Sequence, residues 1–202
     1  MKKSFWIITL ALMPIMITLG CGELGKVDQG RVVQFDKNKG TVTIIRDKNT
    51  DPQNPEYSYL PPITYTLPAD FHEMGPDPKV GMRMKLDIPK KQIVIFDTTT
   101  QKFKTLQYTL VDQKENIAKD DPLVFDKDKD KPKIFPIIDR GKKTITLYSK
   151  KQQILITFSL PEEYFALPEY TWDSGDEVRI YYKEEGKARR FMNVTKTDIF
   201  KK

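Results

Sequence analysis

The stretch "FDKNKGTVTII", residues 35–45, lies without gaps over "IDRGKKTITLY", residues 138–148. Working outward, "ITYTLPADF" (63–71) matches "ITFSLPEEY" (156–164), and "VGMRMKL" (80–86) matches "SGDEVRI" (174–180). Three blocks in one order, separated by loops of variable length, mark an internal repeat. The chain therefore reads as two copies of one small domain. The first is expected over residues 30–111, a charged linker over 112–133, and the second over 134–202.

Each block carries β-structure. Thr41-Val42-Thr43-Ile44 and Thr144-Ile145-Thr146-Leu147 alternate with period two and are rich in β-branched residues. "DKNKG" and "DRGK" supply Asp, Asn and Gly, which accept tight or left-handed turns, so each joins two strands as a hairpin. The third strand of each half ends in Leu-Pro. Pro68 and Pro161 suit the first position of a helix, and Asp70, Glu162 and Glu163 put negative charge on its first turn. Gly81 and Gly175 then open a fourth strand, and a fifth is expected near 103–111 and 188–196.

Three strands, a short helix and two strands is the order of an OB-type barrel. The second half, through Thr144, Thr146, Phe158, Leu160, Pro161, Gly175, Asp176, Val178, Ile180 and Tyr182, also resembles small periplasmic OB-like domains. The first half departs from that pattern at Met82, where Asp is expected. The expected fold is mainly β: two tandem five-stranded OB-like barrels, each with a short helix between strands three and four. SH3-like barrels or an open β-sandwich are the alternatives.

The N-terminus fixes an address. Met1-Lys2-Lys3 precedes an apolar run from Phe5 to Leu19, too short for a spanning helix of about 20 residues. Thr18-Leu19-Gly20-Cys21 resembles the lipobox of bacterial lipoproteins, although Leu stands one place late. The resemblance implies a signal peptide over 1–20, acylation of Cys21 and a lipidated tether over 21–29. Gly22, in place of Asp, implies the outer membrane, facing the periplasm. Each buried CH₂ of an acyl chain contributes about 0.8 kcal/mol to membrane binding. Cys21 is the sole cysteine, so a disulfide within the chain is impossible. Over its mature length the chain is also similar to uncharacterised lipoproteins of sulfate-reducing bacteria.

Removing residues 1–20 takes two of 34 basic residues, leaving 32 against 28 acids. A balance of about +4 spread along the chain argues for solubility rather than a nucleic-acid surface.

Candidate chemistry is sparse. His72, Met74, Met82 and Met84 collect imidazole and thioether groups of the kind that suit Cu(I). Periplasmic OB-like copper chaperones use such ligands, but on a strand that here spans Ile63–Thr66 and carries no sulfur. Asp126, Asp128 and Asp130 imitate the start of a calcium loop, yet Lys131 and Ile137 occupy its glycine and bidentate-acid places. Tyr164 and Phe165 read as barrel plugs. Tyr170 and Trp172 read as an exposed aromatic surface for a partner. There is no Gly-x-Ser-x-Gly elbow, no Cys-x-x-Cys and no glycine-rich phosphate loop.

The expectation is a non-catalytic binding or assembly module, anchored to the envelope membrane through Cys21 and meeting a protein partner near the bilayer, with no cofactor and no nucleic acid. It would serve as an accessory subunit of a membrane-associated complex. A copper carrier centred on His72 and an envelope enzyme of unknown type are the rivals.

Overall fold

A computed structural model describes residues 24–49 and 55–197. Cys21 and the signal segment lie outside the described residues. In chain order the strands are β1 (Lys26–Asp36), β2 (Thr41–Asp47), β3 (Tyr57–Thr66), β4 (Arg83–Asp87), β5 (Gln92–Asp97), β6 (Lys102–Gln107), β7 (Thr109–Lys114), β8 (Phe125–Asp126), β9 (Lys131–Pro132), β10 (Ile137–Asp139), β11 (Thr144–Ser149), β12 (Ile154–Ser159), β13 (Glu177–Glu184) and β14 (Lys187–Asn193). The fold is mainly β. The turns after the Leu-Pro corners are 3-10, at Phe71–Glu73, Glu162–Ala166 and Glu169–Trp172.

One turn design builds most of the hairpins. In five of them an Asp ends the incoming strand and the residue four places on has positive φ: Asp36 with Gly40, Asp87 with Lys91, Asp97 with Gln101, Asp126 with Asp130 and Asp139 with Lys143. Ser149 and Gln153 make a sixth of the same kind. The Asp side chain accepts backbone N–H groups inside its own turn, for example Asn38 and Lys39 at 3.0 Å on Asp36. Those donors hold the carboxyls of Asp36, Asp87 and Asp97 below the usual range. In the 138–148 block the left-handed residue is Lys143, not Gly141.

The expected strands have counterparts close to their places, β5, β8 and β9 are additional to them, and the strands do not pair within each half. A closed barrel runs β1-β13-β14-β3-β2, so strands from the first half are completed by the last two strands of the second. β1 pairs antiparallel with β13 from Lys26 opposite Tyr182 to Arg31 opposite Glu177. Closure between β3 and β14 is narrow. It is a parallel contact of Lys187 with Thr66, supported by the Thr66 N–H on the Gly186 carbonyl at 2.8 Å. Glu73 and Arg190 add a forked ion pair across the same gap. Val32, Val42, Ile44, Tyr65, Val178, Ile180 and Phe191 fill the interior.

Residues 82–172 form a second body inserted between β3 and β13. Its sheets are β4-β5-β6 and β10-β11-β12-β7. β6 and β7 are one run of chain that changes sheet at Tyr108, whose N–H bonds the Lys91 carbonyl at 2.9 Å. Both sheets share one core, with Ile93, Ile95 and Leu106 packed among Ile145, Ile156, Phe158 and Trp172. The expected contiguous units, 30–111 and 134–202, are thus not the units that the pairing follows. Two further expectations change with them. The 112–133 linker begins inside β7 and contains the β8–β9 hairpin. The 21–29 tether gives way to strand at Lys26.

The chain leaves the barrel and returns to it at one crossing. A Cβ on Gly81 would stand 2.1 Å from the Gly175 nitrogen and 2.5 Å from the Asp173 carbonyl oxygen. Gly175 has φ +67°, and its own Cβ would stand 2.6 Å from the Val32 carbonyl oxygen. Backbone bonds stitch the crossing: Gly81 N–H to Val32, Arg83 N–H to Asp173, Asp176 N–H to Lys79, and Val32 N–H to Asp176, all within 3.1 Å. Beside it, a third apolar cluster glues the bodies. Val33, Ile45 and Tyr57 on the barrel's outer face meet Met82, Met84 and Phe96. A bulge between Val32 and Gln34 lets Val32 point inward and Val33 outward. Each such side chain contributes about 1.5–3 kcal/mol when fully buried.

Two predictions follow from this packing. Gly81→Ala forces backbone apart at the crossing and is expected to cost at least about 2 kcal/mol in urea unfolding. Its unfolding should stay a single transition, because both bodies meet there. The second concerns alkali. Burial, with Glu177 and Asp28 as hydrogen-bond partners, raises the Tyr57 and Tyr65 phenols above their ordinary value near 10. The unfolded chain then releases these protons first. Stability should be intact below pH 10 and fall as pH rises beyond it, and Tyr65→Phe should flatten that fall.

Candidate functional site

The segment 170–176 passes between two clefts. On one side lies a groove of about 510 Å³ lined by Tyr164, Tyr170, Lys104 and the Thr98–Thr100 turn. On the other lies a cleft of about 630 Å³ at the junction of the two bodies.

The junction cleft is built from both. The crossing supplies Lys79, Arg83, Asp173 and Asp176. The inserted body supplies an apolar wall of Val124, Phe125, Phe135, Pro136 and Leu147, and a rim of Lys119, Lys133 and Lys150. Phe135 is set by its ring contact with Tyr148 at 5.9 Å, and Tyr148 by its hydroxyl donating to the Ile117 carbonyl at 2.8 Å. Ile134, at the mouth, is 81% exposed.

Arg83 is the unusual group. It opens β4, and its backbone N–H and C=O bond to Asp173 and to the Arg31 guanidinium. Its Nε donates to the Trp172 carbonyl at 2.9 Å. Among the described residues no other hydrogen bond is made by its side chain. Burial and the nearby Arg31 cation push it down to about 10, against the pull of Asp173, which leaves it cationic at neutral pH. Two of the cleft's carboxylates are already engaged. Asp173 pairs with Lys79. Asp176 accepts from the Lys79 N–H and Asn193 at 2.8 Å each and pairs with Lys196 at 3.4 Å.

The residues singled out from sequence scatter. Tyr170 is 47% exposed at the aromatic groove, as expected of a surface group. Trp172 is not at the surface. It is fully buried in the core of the inserted body, because residues 169–172 coil into a 3-10 turn that aims it inward. It cannot touch a partner. The copper candidates are equally dispersed. His72 is exposed and stacked on Phe71, with ring centroids 3.8 Å apart. Met74 packs on the barrel core, and Met82 and Met84 are buried in the cluster between the bodies. The donor set therefore does not fit a Cu(I) ion. Asp126, Asp128 and Asp130 lie on the β8–β9 hairpin, where Asp126 caps the Lys129 N–H at 3.3 Å and Asp130 takes positive φ. Among the described residues no three His, Cys, Asp or Glu side chains gather as for a metal ion.

A family model, Domain of unknown function (DUF4881), matches residues 23–202. The chain belongs to this family. The match embraces both barrel ends and the inserted body, so the interleaved arrangement lies within a single family domain. No curated protein and no solved structure matches the chain.

Sequence reasoning missed Arg83 and the junction cleft. Their only trace is that "VGMRMKL" places Arg83 where the second repeat has Glu177, a charge reversal at one repeat position.

Trp172→Ala is expected to cost about 4 kcal/mol of stability. Tyr170→Ala should stay within about 0.5 kcal/mol of the parent chain. Chemical denaturation of the two variants separates the buried ring from the exposed one.

Proposed function

We propose that this member of the family is a lipid-anchored envelope protein that acts as a non-catalytic binding module, with the junction cleft as its receiving surface. The observation that carries the reading is the cleft itself. It is concave, apolar-walled and rimmed by cations, and it lies between two bodies fixed by a stitched crossing and a shared apolar cluster. Ligand sites favour such junctions, and a fixed junction limits the entropy lost on binding.

The address rests on the lipobox-like Thr18–Cys21 and the basic, apolar N-terminus. Four residues separate Cys21 from the start of β1 at Lys26, five Cα–Cα steps that reach at most about 18 Å. An acylated Cys21 would hold the barrel close to the bilayer, so partners would be met at the membrane surface and the protein would suit an accessory subunit of a membrane complex. We read the closed barrel as OB-like, because its strand order, β1-β2-β3 followed by β14 and β13, is that of an OB barrel whose last two strands come from the far end of the chain.

The test uses the full chain in its own membranes. Cys21→Ser should move the protein from the membrane fraction to the soluble fraction. A photo-crosslinking residue at Ile134 should give a discrete adduct, and one at Glu185, on the β13–β14 turn, should give none. Retention of Cys21→Ser on the membrane would overturn the anchor. Absence of any adduct at Ile134 would overturn the receiving surface.

A further inference from the structure

The junction cleft has two chemical halves that seldom occur together on a bare surface. One is the half-buried Arg83 guanidinium, whose Nε donates to the Trp172 carbonyl and whose terminal nitrogens are left to the cleft and its solvent. The other is an aliphatic and aromatic wall formed by Val124, Phe135 and Leu147, continuing outward to exposed Ile134. A guanidinium presents a planar fork that matches a carboxylate or a phosphate. Lys79 and Lys196 offset Asp173 and Asp176, although Asp173 still acts on Arg83, so the surplus charge in the cleft comes from Arg83, Lys119, Lys133 and Lys150 against Asp120. Lys133 spends one donor on the Pro122 carbonyl at 2.8 Å. The site therefore holds surplus positive charge at its base and rim, and dry surface along its side. Its volume of about 630 Å³ is that of a small-molecule site.

We infer that the cleft binds one small anionic amphiphile, with its carboxylate or phosphate head on Arg83 and its apolar body along Phe135, Leu147 and Ile134. This deepens the binding-module reading, on which it rests, by naming the ligand class of the same cleft. Arg83 serves as the fork. Trp172, through its backbone carbonyl, fixes the guanidinium plane, and the buried indole makes that carbonyl a rigid acceptor. The lysine rim draws the anion in. A neutral amphiphile gains only the apolar wall, whereas an anionic head adds a charge-assisted fork to Arg83, so the head group carries the discrimination.

Calorimetric titration of the purified full chain tests this, using dodecanoate and dodecyl phosphate below their micelle concentrations, with dodecanol as the neutral control. One site per chain is expected for both anions, with at least tenfold weaker binding of dodecanol. Arg83→Gln should weaken anion binding at least tenfold, and Arg83→Lys should restore part of it. Because Arg83 also braces Trp172, a second variant at the rim, Lys119→Gln with Lys150→Gln, keeps the test open if Arg83→Gln misfolds. It should bind a few-fold more weakly at low salt and match the parent chain at high salt. A flotation arm separates the sources of the anion. Arg83-dependent capture by phosphatidylglycerol vesicles, absent with phosphatidylcholine, supports the inference with a membrane lipid as source. Saturable binding of dodecyl phosphate monomers supports it with a diffusible one. No saturable binding in either arm, or equal binding of dodecanol, would overturn the ligand class. Crosslinking at Ile134 would be untouched by that result, so failure here is distinct from failure of the binding module.

Discussion

Two glycines carry the architecture. Gly81 and Gly175 stand at matching places in the two repeats, and in the folded chain they lie against each other with no room for a Cβ on either. Their contact is where the chain leaves the barrel and where it re-enters. The backbone bonds among Val32, Lys79, Gly81, Arg83, Asp173 and Asp176 depend on that approach. So does the burial of Met82 and Met84 against the barrel's outer face, and so does the position of Arg83 at the base of the cleft. A methyl group on either glycine would press directly on the backbone that joins the two bodies.

Most of the local structure was legible in the sequence. Period-two alternation placed β2, β11 and their partners, the Leu-Pro corners placed the ends of β3 and β12, and Gly81 and Gly175 announced the following strands. What was illegible was the pairing. Strand patterns state which face is buried, not which strand lies alongside. Two repeats with the same strands can close on themselves or exchange their last strands with almost the same side-chain alternation. The turn chemistry was half legible. Asp36 and Asp139 were visible at the heads of two hairpins, but the left-handed position four residues on, held by Gly40 in the first, is held by Lys143 rather than by a glycine in the second.

The candidate site divides along the same line. Tyr170 is exposed, as a loop aromatic between Pro168 and Gly175 suggests. Trp172, two residues on, is buried, because a short 3-10 turn rotates neighbours to opposite sides and the larger ring takes the core. The methionines illustrate the reverse. Met82 and Met84 offered thioethers for a metal, but sulfur on a buried face is packing material, and the cluster between the bodies claimed both. Arg83 was missed because a guanidinium's role is decided by its surroundings, which come here from residues as distant in sequence as Trp172 and Asp173.

The pairing of β1 with β13 joins residues as far apart as Lys26 and Tyr182. Loop-closure entropy must be met before such a contact repays it, and folding slows as average sequence separation grows. The inserted body, with its run of short hairpins, can assemble early. The barrel cannot. Its first three strands wait with open edges until the final strands arrive, and an open β-edge invites pairing with another chain. Such a delay makes the interval between synthesis and closure the period of greatest exposure to chaperones and proteases.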